Sequence, residues 1–324
     1  MKKPITKPKF DFIAWLQRWT KTLDKQEQKY TNQLIEAFKK NYQQVQPYIR
    51  NIELLIEANP KITQAAIKKS PEFKKLIKAT EKELNSFTEY AKTTLALAID
   101  AGALLALSAI KNMGMTPVPP TALEVVTRFL QPDTALYERI GLWAGNARKG
   151  VIDAIIEGVG LGHNPRKIAA DIVKAYGVEL TDALRTSRTA QLWAYRESTR
   201  MNYIANGVKK WVWYAELDDR CCGACTALHG QVFDTDDAIL DGHYNCRCTM
   251  VPVEAYDMMV ADGLTLSGKD YFDNLTEQEQ NDFIGRAKAE AYRAGRFEFS
   301  ALAQQVEDRT YGHMHIETPL KDLI

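Results

Sequence analysis

The chain has neither G-x-x-x-x-G-K-[ST] nor G-x-G-x-x-G, so as far as motifs reach, an ATP-driven motor and a dinucleotide enzyme are both excluded. Glycine and proline are few, 18 and 12 in 324 residues, and 45% of the residues are apolar; collagen-like, mucin-like and wholly disordered classes are therefore out. Net charge is almost absent, +1 from 42 basic and 41 acidic residues, which rules out coating nucleic acid by bulk charge. No apolar run reaches the roughly 20 residues of a membrane span. The nearest, Leu95 to Ile110, carries Asp100 and Gly102 and is expected to be a buried helix, with no membrane partner. The N-terminus, Met1-Lys2-Lys3-Pro4 followed by Asp11, Arg18 and Lys21, lacks the apolar core of an export signal, so a cytoplasmic site of synthesis is expected. Cysteine is scarce at five residues, yet all five fall between positions 221 and 248.

At roughly 100 to 200 residues per domain, the length suggests two domains or three. Charge is unevenly spread: residues 1–92 hold 19 Lys and Arg against 10 Asp and Glu, and the remainder 23 against 31. This basic third is patterned as helix. Tyr30, Leu34, Phe38, Tyr42, Val45, Ile49, Ile52 and Ile56 recur at nearly the helical step, with Pro47 expected to kink or split the run. Ser70-Pro71-Glu72 has the cap, first-turn proline and acid of a second helix start, which continues with breaks to Lys111. Three prolines within Pro117-Val118-Pro119-Pro120 then favour an extended linker. Further helices are expected from Asn164-Pro165 to Gly177 and from Thr181 to Asn206-Gly207. Beta-branched and aromatic runs at 211–214, 231–233 and 249–253 predict a small sheet, and Thr276 with Glu277 and Glu279 opens a helical tail. The expected fold is α+β and predominantly α-helical. A helical basic arm (1–115) precedes a compact helical part (116–208), a small β module rich in Cys and His (209–256) and a C-terminal helical tail (257–324).

Cys222-x2-Cys225, then His243-x2-Cys246-x-Cys248, is a spacing with a mechanism. A C-x2-C turn, made easy by Gly223 and Ala224, points two sulfurs into one tetrahedron, and a second ligand pair closes it. Clustered thiolates without an export signal favour a structural zinc ion on Cys222, Cys225, Cys246 and Cys248, with His243 as the substitute fourth ligand or a supporting group. Cys221 is surplus. The alternatives are reduced thiols in a small core, and a disulfide. Arg247 can bind an anion or pair with Asp218 or Asp219.

The stretch Trp213-x4-Asp218-Asp219-Arg220-Cys221-Cys222-x2-Cys225, then Leu228-x-Gly230-x-x-Phe233, then His243-x-Asn245-Cys246-Arg247-Cys248, resembles the signature of the phage Mu F-like minor head (head morphogenesis) family. Arg188-Thr189 upstream is similar to the helix that precedes that signature, although Ala190 stands where an acid is usual and Gly242-His243-Tyr244 replaces a Pro-rich approach. The resemblance covers roughly residues 125–255. It implies a structural minor capsid protein of a tailed phage, acting in head morphogenesis near the portal and in DNA packaging or delivery. Portal and capsid or scaffold proteins would be its partners, with a site in the virion after assembly in the host bacterial cytoplasm, and it implies no catalysis.

Three further readings are weighed against this. A zinc-stabilised nucleic-acid-binding module would use Arg185, Arg188, Arg196 and Arg200, which fall within one arc of a helix and can meet DNA phosphates. The opposing view is a face paired internally through Asp182 and Glu197. A phage-borne effector enzyme would need a nucleophile such as Cys225 activated by His229, or a use for His313 and His315, and metal ligation is the simpler use of the cysteines. The basic arm can likewise meet DNA phosphates or an acidic portal surface, or stay solvated, and the apolar stripe of its first helix, finally, can dock on a partner.

Overall fold

The computed structural model describes residues 12–218, 220–237 and 242–324. The extreme N-terminus, on which the cytoplasmic expectation rests, and Asp219 lie outside the described residues. Helices α1 (Phe12–Ala58), α2 (Gln64–Lys69) and α3 (Pro71–Asn112) make the first third. Short α4 (Glu124–Thr127) and α5 (Ala135–Gly141) lead to α6 (Trp143–Gly160) and the long α7 (Pro165–Ala205). Then come β1 (Lys210–Tyr214), α8 (Gly223–Leu228), β2 (Val232–Asp234), β3 (Thr249–Pro252), α9 (Val253–Ala261), α10 (Gly268–Asp273), α11 (Glu277–Ile284) and α12 (Arg286–Arg293). The hairpin β4 (Ala303–Asp308) and β5 (Gly312–Glu317) and a last turn, α13 (Leu320–Leu323), complete the chain. The fold is predominantly helical α+β, with short antiparallel strands.

The helix starts obey local chemistry. Ser70 Oγ accepts the Phe73 N–H at 3.2 Å, Asn164 Oδ1 accepts the Lys167 N–H at 2.8 Å, and Thr276 with Glu279 forms a reciprocal capping box. Three sets of expected breaks are absent, the first being those within α3, which is one helix from Pro71 to Asn112. Helix α1 runs unbroken through Pro47, whose flanking Val45 and Ile49 are buried, and α7 is one helix through Gly177 and Thr181. A mid-helix glycine costs about 1 kcal/mol. Burial of Tyr176, Glu179 and Ala183 on the same face holds this one in register.

Two compact units divide the chain. One comprises Gln26–Ala98 and Arg128–Arg188, the other the described part of Met1–Lys25 with Ile99–Thr127 and Thr189–Ile324. In the first, the α1 stripe predicted from the sequence is the buried face: Tyr30, Leu34, Phe38, Val45, Ile49, Ile52 and Ile56 are all buried. Phe38 meets Phe87 edge-on at 5.2 Å and Tyr176 at 5.2 Å, and Tyr42 packs on Tyr176 at 5.7 Å. Fully burying each such side chain is worth about 1.5–3 kcal/mol. The stripe is thus covered by this chain's own α3 and α7, which corrects the expectation that it awaits a partner. Between the same two helices Thr88 Oγ1 donates to Glu179 Oε1 at 2.6 Å; Glu179 is 1% exposed, and its Oε2 has no partner among the described residues.

In the second unit, the end of the apolar segment Leu95 to Ile110 is internal. Leu105, Ala106 and Ala109 pack with Trp15, Leu16 and Tyr195, and the Trp15 indole donates to the Ala109 carbonyl at 3.0 Å. The proline run 117–120 falls inside this unit. Its backbone is held on α7, because the Thr116 and Val118 N–H groups donate to the Asn206 and Asn202 side chains at 2.9 and 2.8 Å. The three predicted strands pair in the order β2-β1-β3, Trp211 opposite Phe233 and Trp213 opposite Met250. Alternation along β1 sends Trp211 and Trp213 to the cysteine side and Val212 to the other face, against Val251 and Tyr256. The tail is helical as expected up to α12, and then, contrary to expectation, forms the β4–β5 hairpin. His315 there is buried edge-on against Trp213 at 5.7 Å, while His313 Nδ1 sits 2.7 Å from Glu307 at the surface.

Candidate metal centre

The donors predicted from the sequence converge. Cys222 is the N-cap of α8, its Sγ accepting the Cys225 N–H at 3.4 Å, and this turns both sulfurs the same way. From the other side comes the loop before β3, where Asn245 adopts a left-handed φ of 64° that asparagine tolerates better than most residues. Gly242 is obligatory in this loop, since a Cβ there would lie 2.2 Å from the Cys246 sulfur.

His243 Nε2 lies 3.0 Å from Cys222 Sγ and 3.2 Å from Cys225 Sγ, and Cys225 Sγ lies 3.6 Å from Cys246 Sγ. Two triads of donors result, Cys222–Cys225–His243 and Cys225–Cys246–Cys248, sharing Cys225. The space among them is about 20 Å³, room for a single ion or water. A regular tetrahedron with Zn–S bonds near 2.3 Å has sulfur–sulfur edges of about 3.8 Å, close to the observed packing. The carbonyl of Tyr244 can only accept, so His243 Nδ1, 2.7 Å away, carries the proton and leaves Nε2 aimed at the sulfurs. The cluster can hold a metal ion. Cys221 stands apart with its thiol 3.3 Å from Thr226 Oγ1, and burial pushes it up to about 12.

Without a cation, the crowding is expressed as shared protons. The hydrogen bond from Cys225 and the neighbouring His243 hold Cys222 down at about 5 against burial. Cys246, despite desolvation by full burial, is held well below its ordinary value by hydrogen bonds from Cys225 and Cys248 and by the charges of Arg196 and His243. Hydrogen bonding to Cys222, Cys246 and Cys248 raises Cys225, and burial raises Cys248. For His243, desolvation is outweighed by Cys222 and Cys246, which lift it to about 9. Negative sulfur is thus favoured at Cys222 and Cys246 and opposed at Cys225 and Cys248, which hold the protons between them.

The arginine stripe is not a free basic face. Arg196, only 4% exposed, donates to the carbonyls of Cys248 at 2.9 Å and Cys246 at 3.2 Å, clamping the ligand loop. Arg200 grips Glu197 with two bonds of 3.0 and 2.8 Å and donates to the Thr235 carbonyl at 3.2 Å. Arg185 pairs with Asp182 at 2.5 Å and Arg188 with Glu27 at 2.9 Å. All four are engaged within the fold, which favours the internal pairing weighed against a DNA contact. Thr189 Oγ1 accepts the Asn245 N–H at 3.2 Å, while Ala190 is wholly buried. Arg247 forms a two-bond pair with Asp218 at 2.7 and 3.2 Å, one of the two roles expected for it.

Nor is Cys225–His229 a nucleophile pair. His229 Nδ1 accepts the Ala215 N–H at 3.0 Å, Nε2 lies 3.1 Å from Thr265 Oγ1, and burial lowers the ring to about 4. Sequence reasoning missed the Arg196 clamp, which shows as one more arginine on a helix. It also missed Glu317, whose carboxylate accepts the Gly223 N–H at 3.3 Å and pairs with Lys288 at 2.5 Å.

Residues 149–251, running from α6 through the ligand loop to β3, match the family described as phage Mu protein F like protein. No curated protein and no solved structure matches the chain.

Proposed function

From a Mu F-like segment that encloses a complete set of soft metal donors, we propose that the protein is a structural minor head protein of a tailed phage, acting in head morphogenesis near the portal vertex. Portal and capsid or scaffold proteins are its partners, and it passes from the host cytoplasm into the virion. The observation that carries this reading is the donor cluster itself. The triads Cys222–Cys225–His243 and Cys225–Cys246–Cys248 share Cys225 beside a space of about 20 Å³, and an ion bound by four of these donors would have no position left for a substrate. Zinc suits a set of thiolates and one imidazole, and it would tie α8 to the loop that Arg196 and Thr189 anchor on α7. Such a module acts by binding and holding shape.

The test is mass spectrometry of purified virions and procapsids. The protein should be present in both, and phage lacking the gene, or carrying Cys246→Ser, should yield fewer or poorly infectious heads. Absence from both particles together with a normal yield in the knockout refutes the reading and raises the effector-enzyme alternative.

A further inference from the structure

A strongly unbalanced charge is found in the compact unit that does not hold the cysteines. Between Lys61 and Lys82 the chain has seven lysines and two acids, Glu72 and Glu81. Lys68 and Lys69 end α2, and Lys74, Lys75, Lys78 and Lys82 follow on the first turns of α3; all six are exposed. At 100° per residue the last four share an arc of about 100°, so they form one row. Five of the six have no ion-pair partner among the described residues, and Lys82 reaches Glu83 at 3.1 Å. Glu81 is turned to Arg148 at 3.7 Å.

The fold does not ask for this row. Like charges four apart on a helix repel, as at Lys74, Lys78 and Lys82. Cations in a first turn also oppose the helix dipole, as Lys74 does. Residues that cost stability at exposed positions are explained by something they bind. No exposed large apolar side chain occurs between Leu54 and Tyr90, so the row has no anchor of the kind that protein interfaces are built on, and lysine is depleted from such interfaces. The one aromatic residue among these lysines, Phe73, is half-buried and lies about 100° off the row, so the row itself offers no ring to stack on unpaired bases, as single-strand binders require. What remains is the recognition of phosphate by mobile point charges.

We infer that the Lys68–Lys82 face of α2 and α3 is a contact surface for the phosphate backbone of double-stranded DNA, without sequence preference. It replaces the α7 arginines in that role and stands whether or not the protein is a head component.

The experiment uses the full-length protein and a labelled mixed-sequence duplex, with binding followed by fluorescence anisotropy across a salt series. Wild type should bind with a steep negative slope of log affinity against log salt. Lys74→Gln/Lys78→Gln/Lys82→Gln should flatten that slope by about 2.7, at about 0.9 per phosphate contact, and weaken binding about tenfold or more at low salt. Lys40→Gln/Lys209→Gln/Lys321→Gln removes the same charge from exposed lysines elsewhere and should leave the slope unchanged. Thermal melts should show the control triple at the wild-type midpoint and the row triple at or slightly above it, because every substituted side chain is exposed and the row's repulsion is relieved. An equal loss in both triples, or no salt-dependent binding by wild type, overturns the proposal. So does tighter binding of poly-glutamate than of duplex at equal charge, which would point to an acidic protein instead.

Discussion

Glu179 makes the helical unit sensitive to pH. Its carboxyl is buried between α3 and α7 with one hydrogen bond from Thr88, and burial raises it from an ordinary value near 4.5 to about 8. The groups around it offer no cation: Tyr176, one turn away on α7, is itself pushed up by burial and by the charges of Glu179 and Glu83. The folded chain therefore keeps a proton that the unfolded chain releases above pH 4.5. Stability contributed by that proton is complete below pH 4.5, declines as pH rises, and is lost by the time pH has passed 8. Between pH 5.5 and 8 the linkage amounts to about 3 kcal/mol as an upper bound, at about 1.4 kcal/mol per unit. Glu179→Gln keeps an oxygen for Thr88 and has no proton to lose. Urea melts followed by circular dichroism at pH 5.5 and 8 should show the wild-type midpoint falling with pH and the variant's nearly level, the variant being the more stable at pH 8. Parallel shifts of wild type and variant would refute the burial argument.

Purified protein should carry close to one zinc per chain; Cys222→Ser or Cys246→Ser should lose it, and Cys221→Ser should keep it, as read by metal analysis. Arg196→Ala leaves the buried carbonyls of Cys246 and Cys248 without these donors, at a cost of about 2–4 kcal/mol, and should speed zinc release to a colorimetric chelator. Gly242→Ala, by forcing a methyl against the Cys246 sulfur, should abolish metal retention while leaving the helical circular dichroism largely intact. Asn206→Ala removes two of the bonds that hold Thr116 on α7, and limited proteolysis near 116–120 should be faster than in wild type.

Features whose physics is local were legible in the sequence. Capping residues at Ser70, Asn164 and Thr276, the 3.6-residue stripe of α1, the β-branched and aromatic strands, and the paired spacing of Cys and His each carry their structural cause within a few positions. Features decided at a distance were not. Arg196 and Arg200 sit at the same helical spacing as solvated arginines, and only the distant carbonyls of Cys246 and Cys248 and of Thr235 give them their partners. Gly177 and Thr181 have the form of a stop and a start, and the burial of Tyr176 and Glu179 by α1 and α3 overrides them. The hairpin was hidden because Ala303–Asp308 and Gly312–Glu317 are mostly polar; their pairing is fixed by the turn at 309–311 and by the seat of His315 on Trp213.

The bond from Gly223 to Glu317 gives the order of synthesis a meaning. The five donors, and the α7 side chains Thr189 and Arg196 that hold their loop, are made before β4, whereas Tyr244 in that loop gains its partner Asp308 only when β4 follows. The acceptor for the first N–H of α8 is then translated about 70 residues after Cys248. A chain broken off before β5 would own all five donors and still lack the carboxylate that finishes the helix on which two of them stand.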